Sequence, residues 1–105
     1  MRSFHQNQFV GTLPTEIAGL LSLETLTLFD NNIEGTVPSE YKALVNLEQL
    51  YIEGTGLTGE VDSSLCSRKS KFKNFYASCD SDRGIKCSCC TYCCDGTGTT
   101  CRGVV

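Results

Sequence analysis

The sequence predicts an α/β-type solenoid, a short right-handed coil with one parallel strand per repeat, closed by an irregular disulfide-rich C-terminal cap. Three observations lead to it. Gly11, Gly35 and Gly59 stand 24 residues apart, apolar residues keep the same step around them, and all eight cysteines lie beyond Leu65. Self-similarity with a period of roughly 20–50 residues marks stacked units, none of which can bury its apolar side alone. The division expected is therefore repeats over 1–65 (one partial, two full and the start of another) and a cysteine-rich cap over 66–105.

The chain opens inside a repeat, because Arg2 holds the column of Leu26 and Leu50. Phe4, Phe9, Leu13, Ile17 and Leu20 then place apolar side chains at an edge that no polar segment covers. Upstream repeats of a longer parent are expected to stack there. No apolar stretch of signal-peptide length follows Met1 and no apolar run is long enough to span a bilayer. The membrane is thus not expected to be met by these residues.

The central repeats carry the strongest pattern. Leu20, Leu23, Leu26 and Leu28 recur as Leu44, Leu47, Leu50 and Ile52, while Phe9, Ile33 and Leu57 form one further column and Leu13, Val37 and Val61 another. Alternation at Leu26, Thr27, Leu28 and Phe29 is the period of a half-buried strand, leucines inward. Asn7 and Asn31 align, with Thr55 in the third place. A side chain with both donors and an acceptor can satisfy backbone groups left unpaired where the strand ends. Gly35 is expected to take a backbone angle costly to other residues, and Pro38 to stiffen the return segment. The stretch from Leu20 to Pro38 resembles the plant-type leucine-rich repeat pattern LxxLxxLxLxxNxLxGxIP, with apolar swaps such as Ile33 and Val37. The resemblance covers residues 4–65 and implies recognition by the concave strand face, without implying a ligand.

Stacking places equivalent strand positions side by side. One column reads Ser3, Thr27 and Tyr51, the next His5, Phe29 and Glu53, and the last Gln6, Asp30 and Gly54, flanked by Thr25 with Gln49 and by Glu24 with Glu48. Thr27, Phe29, Asp30, Gln49, Tyr51 and Glu53 are the candidate ligand-binding residues. Phe29 and Tyr51 lead, because aromatic residues are enriched at the energetic centres of interfaces. Glu24, Asp30, Glu48 and Glu53 are expected to make the face acidic and to favour a basic protein or peptide.

Beyond Leu65 the pattern gives way to Cys66, Cys79, Cys87, Cys89, Cys90, Cys93, Cys94 and Cys101. Such density in a small chain points to a disulfide framework and an oxidising compartment, hence an extracellular or cell-surface location. Eight cysteines allow about 105 full pairings, and the spacing selects none of them. A cap belongs here, since the last coil would otherwise expose Leu50, Ile52, Leu57 and Val61; Phe72, Phe75 and Tyr76 are available as apolar cover. The run Cys87-Ser-Cys-Cys-Thr-Tyr-Cys-Cys resembles the tail of leucine-rich repeat proteins from diatom and related algal genomes, a resemblance that carries no activity. The rival is thiolate metal binding through the Cys90–Cys93 spacing, but a second clean ligand pair is missing and no metal site is expected.

Net charge is −3, yet residues 1–62 hold nine acids against two bases and residues 63–105 seven bases against three acids. An acidic repeat surface argues against nucleic acid, whose affinity comes largely from phosphate neutralisation. The basic stretch Arg68, Lys69, Lys71 and Lys73 is expected to keep the cap soluble. With His5 as the single histidine, histidine-based triads are unavailable; Asp80 and Asp82 lack a calcium-loop pattern, and no glycine motif cradles phosphate. No catalytic residue, enzyme activity or cofactor is expected. The expected function is a protein-, peptide- or glycan-binding module, the C-terminal end of a longer secreted or receptor-like recognition protein; the alternatives are a cysteine-thiolate metal-binding module or a purely structural solenoid cap.

Overall fold

A computed structural model of the 105-residue chain describes residues 2–3, 10–29, 31–67, 72–80 and 84–103, with the backbone alone at 2, 3 and 10. Phe4, His5, Gln6, Asn7, Phe9, Asp30, Arg68, Lys69, Lys71 and Asp82 lie outside the described residues. The alternating apolar positions form strands β1 (Arg2–Ser3), β3 (Thr25–Thr27) and β5 (Gln49–Ile52). These pair in parallel, Leu26 beside Leu50 and Thr27 beside Tyr51, which is the 24-residue step read as sheet register. A second parallel sheet joins β2 (Val10–Thr12), β4 (Asn32–Gly35) and β6 (Gly56–Leu57). Between the two sheets, the return segments form 3₁₀ helices over Thr15–Gly19 and Ser39–Ala43, each preceded by a proline in extended conformation. The prolines supply the fixed φ that turns the chain into the helix.

The core is the set of inward columns. Leu26, Leu28, Ile33, Leu44, Leu47, Leu50 and Ile52 are fully buried, and each such side chain contributes about 1.5–3 kcal/mol relative to exposure. Of the apolar residues expected at the N-terminal edge, Leu20 is exposed whereas Leu13 and Ile17 are buried. Tyr41 belongs to the column of Ile17 and Leu65 and is fully buried, its hydroxyl donating to the Pro14 carbonyl at 2.8 Å. Burial, reinforced by the Glu16 carboxylate, pushes this phenol well above its ordinary pKa, so it stays a donor. Tyr41→Phe removes the donor and keeps the ring. The expected cost is about 1 kcal/mol in a urea titration, with an unchanged denaturant slope.

Asn31 is buried and its amide donates to the carbonyls of Leu28 at 3.0 Å and Phe29 at 3.2 Å. Thr55, in the equivalent place, donates its hydroxyl to the Ile52 carbonyl at 2.8 Å. One donor thus replaces two at the same point of strand exit. Gly35 adopts φ +91°, with Gly11 and Gly59 alike, in the region L side chains rarely enter.

The sheet does not stop where the cysteines begin. After the short helix α1 (Ser63–Cys66), capped by Asp62, strand β7 (Asn74–Ala77) pairs in parallel with β5, setting Phe75 beside Leu50 and Ala77 beside Ile52. Here the step is 25, one residue more than before, and Ile85 returns to the 24-residue column of Val61, buried at 3%. Strand β8 (Tyr92–Cys94) adds in parallel to β7, and β9 (Cys101–Gly103) closes the sheet antiparallel to β8. Among the described residues the larger sheet thus runs β1-β3-β5-β7-β8-β9.

Four disulfides hold this end: Cys66–Cys89, Cys79–Cys93, Cys87–Cys90 and Cys94–Cys101. The first ties α1 to the segment before β8, the second ties the exit of β7 to β8, and the last closes the β8–β9 hairpin. The hairpin turn is organised by Asp95, whose carboxylate accepts from the Thr97 hydroxyl at 2.7 Å and from the N–H groups of Thr97 and Thr99. These bonds, the Thr97 hydroxyl foremost, lower its pKa. A carboxyl depressed on folding stabilises above its unfolded pKa and loses that contribution as pH falls through the folded value. Amide exchange of Thr97 and Thr99, followed by NMR, should therefore accelerate selectively below about pH 4, and Asp95→Asn should remove that pH step.

Candidate binding surface

The larger sheet presents its outward positions in rows set by register. Thr25, Gln49 and Asn74 are neighbours in one row; Ser3, Thr27, Tyr51, Tyr76, Tyr92 and Gly103 are neighbours in the next. Thr27, Phe29, Gln49 and Tyr51, expected on this face, are all half-buried there. Asp30 lies outside the described residues, and Glu53 departs from expectation.

Glu53 is buried at 9% relative exposure. The β8–β9 turn folds over it: a Cβ added at Gly98 would stand 2.7 Å from the Gly54 nitrogen and 3.1 Å from the Glu53 carbonyl carbon. Gly98, at φ +77°, is the residue that permits this approach. Ser78 bridges the same parts, accepting from the Gly54 N–H at 2.9 Å and donating to the Asp95 carbonyl at 2.8 Å. Glu53 therefore lies under the tail and not on the open face. Its carboxylate falls within 4.8 Å of the sulfurs of Cys94 and Cys101, but those sulfurs are joined to each other.

The face is also less acidic than composition suggested. Glu48 pairs with Lys73 at 2.7 Å, and Lys73 follows it in the flanking column, its pKa raised first by this hydrogen bond. Glu24 remains exposed. With Glu48 paired and Glu53 covered, the middle rows are made of neutral side chains.

In place of acids, the tertiary structure assembles tyrosines. Ring centroids of Tyr51 and Tyr76 lie 5.1 Å apart with planes tilted 37°, and those of Tyr76 and Tyr92 lie 4.4 Å apart, stacked at 15°. The Tyr51 hydroxyl donates to Gln49 Oε1 at 2.9 Å. Burial between its neighbours, then the adjacent Tyr92 and Tyr51 phenols, raises the Tyr76 pKa above the usual tyrosine value, so this phenol stays neutral. Sequence reasoning assigned Tyr76 to the apolar cover and passed over Tyr92. The step from Tyr51 to Tyr76 is 25 and from Tyr76 to Tyr92 only 16, so a search at period 24 misses both. The one available signal was Asn-Phe-Tyr-Ala, which repeats the alternation of Gln-Leu-Tyr-Ile.

A separate cleft of about 390 Å³ is lined by Cys79, Asp80, Ile85, Lys86, Cys87, Cys93 and Arg102, with Arg102 paired to Asp80. Its described lining contains no histidine and no free thiol. No helix among the described residues is long and apolar enough to cross a membrane.

Consistent with a parallel strand per repeat, residues 22–44 match the Leucine Rich Repeat family. The chain joins this leucine-rich repeat segment to a cysteine-rich end that carries four disulfides. Among solved structures, the chain is similar to the leucine-rich repeat ectodomain of the receptor kinase SOBIR1 from Arabidopsis thaliana, at 27% identity and a TM-score of 0.56. That likeness covers 60% of this chain and 36% of the ectodomain, so the chain spans little more than a third of its length. No curated protein matches the sequence.

Proposed function

We propose that this chain is a non-enzymatic recognition module whose concave strand face binds a protein, peptide or glycan, and that it forms the C-terminal end of a longer secreted or receptor-like protein. The observation that carries the reading is the row of half-exposed tyrosines at outward strand positions. Tyrosine offers a large, rigid contact area and a polar tip at low entropic cost. The binding residues are Thr27, Phe29, Gln49 and Tyr51, joined by Tyr76 and Tyr92. On this reading the repeats are of plant type within a right-handed solenoid, as the 24-residue step and the parallel register favour. Residues 66–105 act as its cap, which the four disulfides favour in an extracellular setting.

Peptides selected from a random phage library on the oxidised protein test this. Their affinity should fall at least tenfold in Tyr51→Ala and Phe29→Ala, with the melting temperature little changed. Selected peptides that bind both variants as well as the parent would place recognition elsewhere on the molecule.

A further inference from the structure

We propose that the tyrosine row is a track for a proline-rich peptide in polyproline II conformation, an inference that rests on the concave-face function above. Three features of the row select this ligand chemistry: what the rings present, what their neighbours donate, and how the rungs are spaced.

Because the Tyr76 and Tyr92 rings face each other at 4.4 Å, their edges and hydroxyls, not their inner faces, are what a ligand meets. At the ends of the row the adjoining residues are small. Thr27 stands beside Tyr51, and Gly103 beside Tyr92, where an added Cβ would reach ordinary contact with the ring at 3.6 Å. The outer flanks of the ladder are thus bordered by short groups over which a pyrrolidine ring can pack.

The hydrogen-bonding inventory is neutral and weighted to donors. Gln49 and Asn74 carry amide donors in the adjacent row, and Gln49 spends its oxygen on the Tyr51 hydroxyl. Tyr76 and Tyr92 are register neighbours with stacked rings, and each carries a phenolic hydroxyl that can donate. Glu48 and Lys73 in the flanking column cancel as a pair, and Glu53, whose charge reaches Tyr76, is buried under the β8–β9 turn. A polyproline II chain is the complement: it has no internal hydrogen bonds, its carbonyls are unpaired, and proline contributes no N–H. Among the described residues, these rows offer a charged peptide no counter-ion.

Spacing agrees. Polyproline II advances about 9.3 Å per three-residue turn, and two strand spacings of a sheet are about 9.6 Å. The ring-to-ring steps of 5.1 and 4.4 Å follow the same interval. Prolines three residues apart, on a peptide lying across the strands, therefore meet Tyr51 and Tyr92, with the intervening carbonyls above Tyr76. Such a ligand is already stiff, so little entropy is lost on docking.

Isothermal titration of the oxidised protein with decaproline tests the inference, with all-D decaproline, a soluble cello-oligosaccharide and a proline-free peptide of equal length as comparators. Expected are saturable binding of the L form that changes little with salt, at least tenfold weaker binding of the D form, and at least tenfold loss in Tyr76→Ala and Tyr92→Ala. Tyr76→Phe should lose only a few-fold. Near-UV circular dichroism monitors the fold; should the alanine variants not fold, Gln49→Lys keeps the rings, and the same tenfold loss is expected there. Absence of L-decaproline binding, equal binding of the two forms, or binding undiminished in the variants overturns the proposal. If decaproline fails while the oligosaccharide or the proline-free peptide binds and loses that binding in Tyr76→Ala, the proline inference falls and the concave-face reading survives. A comparator that binds undiminished in every variant overturns both.

Discussion

Phe75→Ala is expected to destabilise the chain by about 3–5 kcal/mol, the cost of emptying a large buried aromatic site. Phe75 is fully buried, sits beside Leu50 across the β5–β7 pair, and packs its ring against Phe72 at 4.6 Å. Its backbone is held on the other side: the Phe75 N–H donates to the Thr91 hydroxyl at 2.8 Å, and the Thr91 N–H donates to the Phe75 carbonyl at 2.9 Å. One residue thus joins the last repeat, beside Leu50, to the segment before β8 through its backbone. Domains of this size have about 5–15 kcal/mol in all, so the variant should unfold at markedly lower urea or fail to fold. A loss below about 1 kcal/mol in an equilibrium urea titration would mean that the site collapses without a cavity.

The second large effect concerns the disulfides, whose contributions should rank by the loop each closes. Cys66–Cys89 spans a separation of 23, Cys79–Cys93 one of 14, Cys94–Cys101 one of 7 and Cys87–Cys90 one of 3. Loop-closure entropy gives about 3 kcal/mol for a 15-residue loop and grows with the logarithm of length. Replacing Cys66 and Cys89 by serine should therefore lower the melting temperature by on the order of 15 °C. Replacing Cys87 and Cys90 should cost the least. Melts of the four double variants at one protein concentration give the order directly, and a reversed order would show that native packing, not chain entropy, sets these values.

The tyrosine row depends on the same bonds. Tyr92 precedes Cys93 and Cys94, which bind it to β7 through Cys79 and to β9 through Cys101. The cysteine-rich segment, expected only as a stopper, also contributes Tyr76 and Tyr92 to the outward tyrosine row. This alters the division of labour expected from the sequence, in which the repeats presented the face and the cysteine segment only covered the end.

How much was legible can be stated residue by residue. The columns Leu26–Leu50 and Thr27–Tyr51 were readable because identical local geometry forces identical spacing: a repeat that stacks on its copy must return each side chain to the same height. Asn31 at the strand exit and the positive φ of Gly35 were readable because only a few residue types meet those demands. The burial of Tyr41 could have been read from its column with Ile17 and Leu65.

The order of residues already carries the repeat step, the strand positions, the inward columns and a cysteine-rich end. Folding adds which cysteines pair, the extension of the sheet by β7 and β8, the roof of the Gly98 turn over Glu53, the meeting of Glu48 with Lys73, and the alignment of three tyrosines. The difference is one of range. Repeat periodicity is a local rule applied again and again, and it survives in the order of residues. Disulfide partners, a turn laid over a distant strand and a row built from steps of 25 and 16 are set by packing between segments far apart in the chain, and no fixed spacing records them.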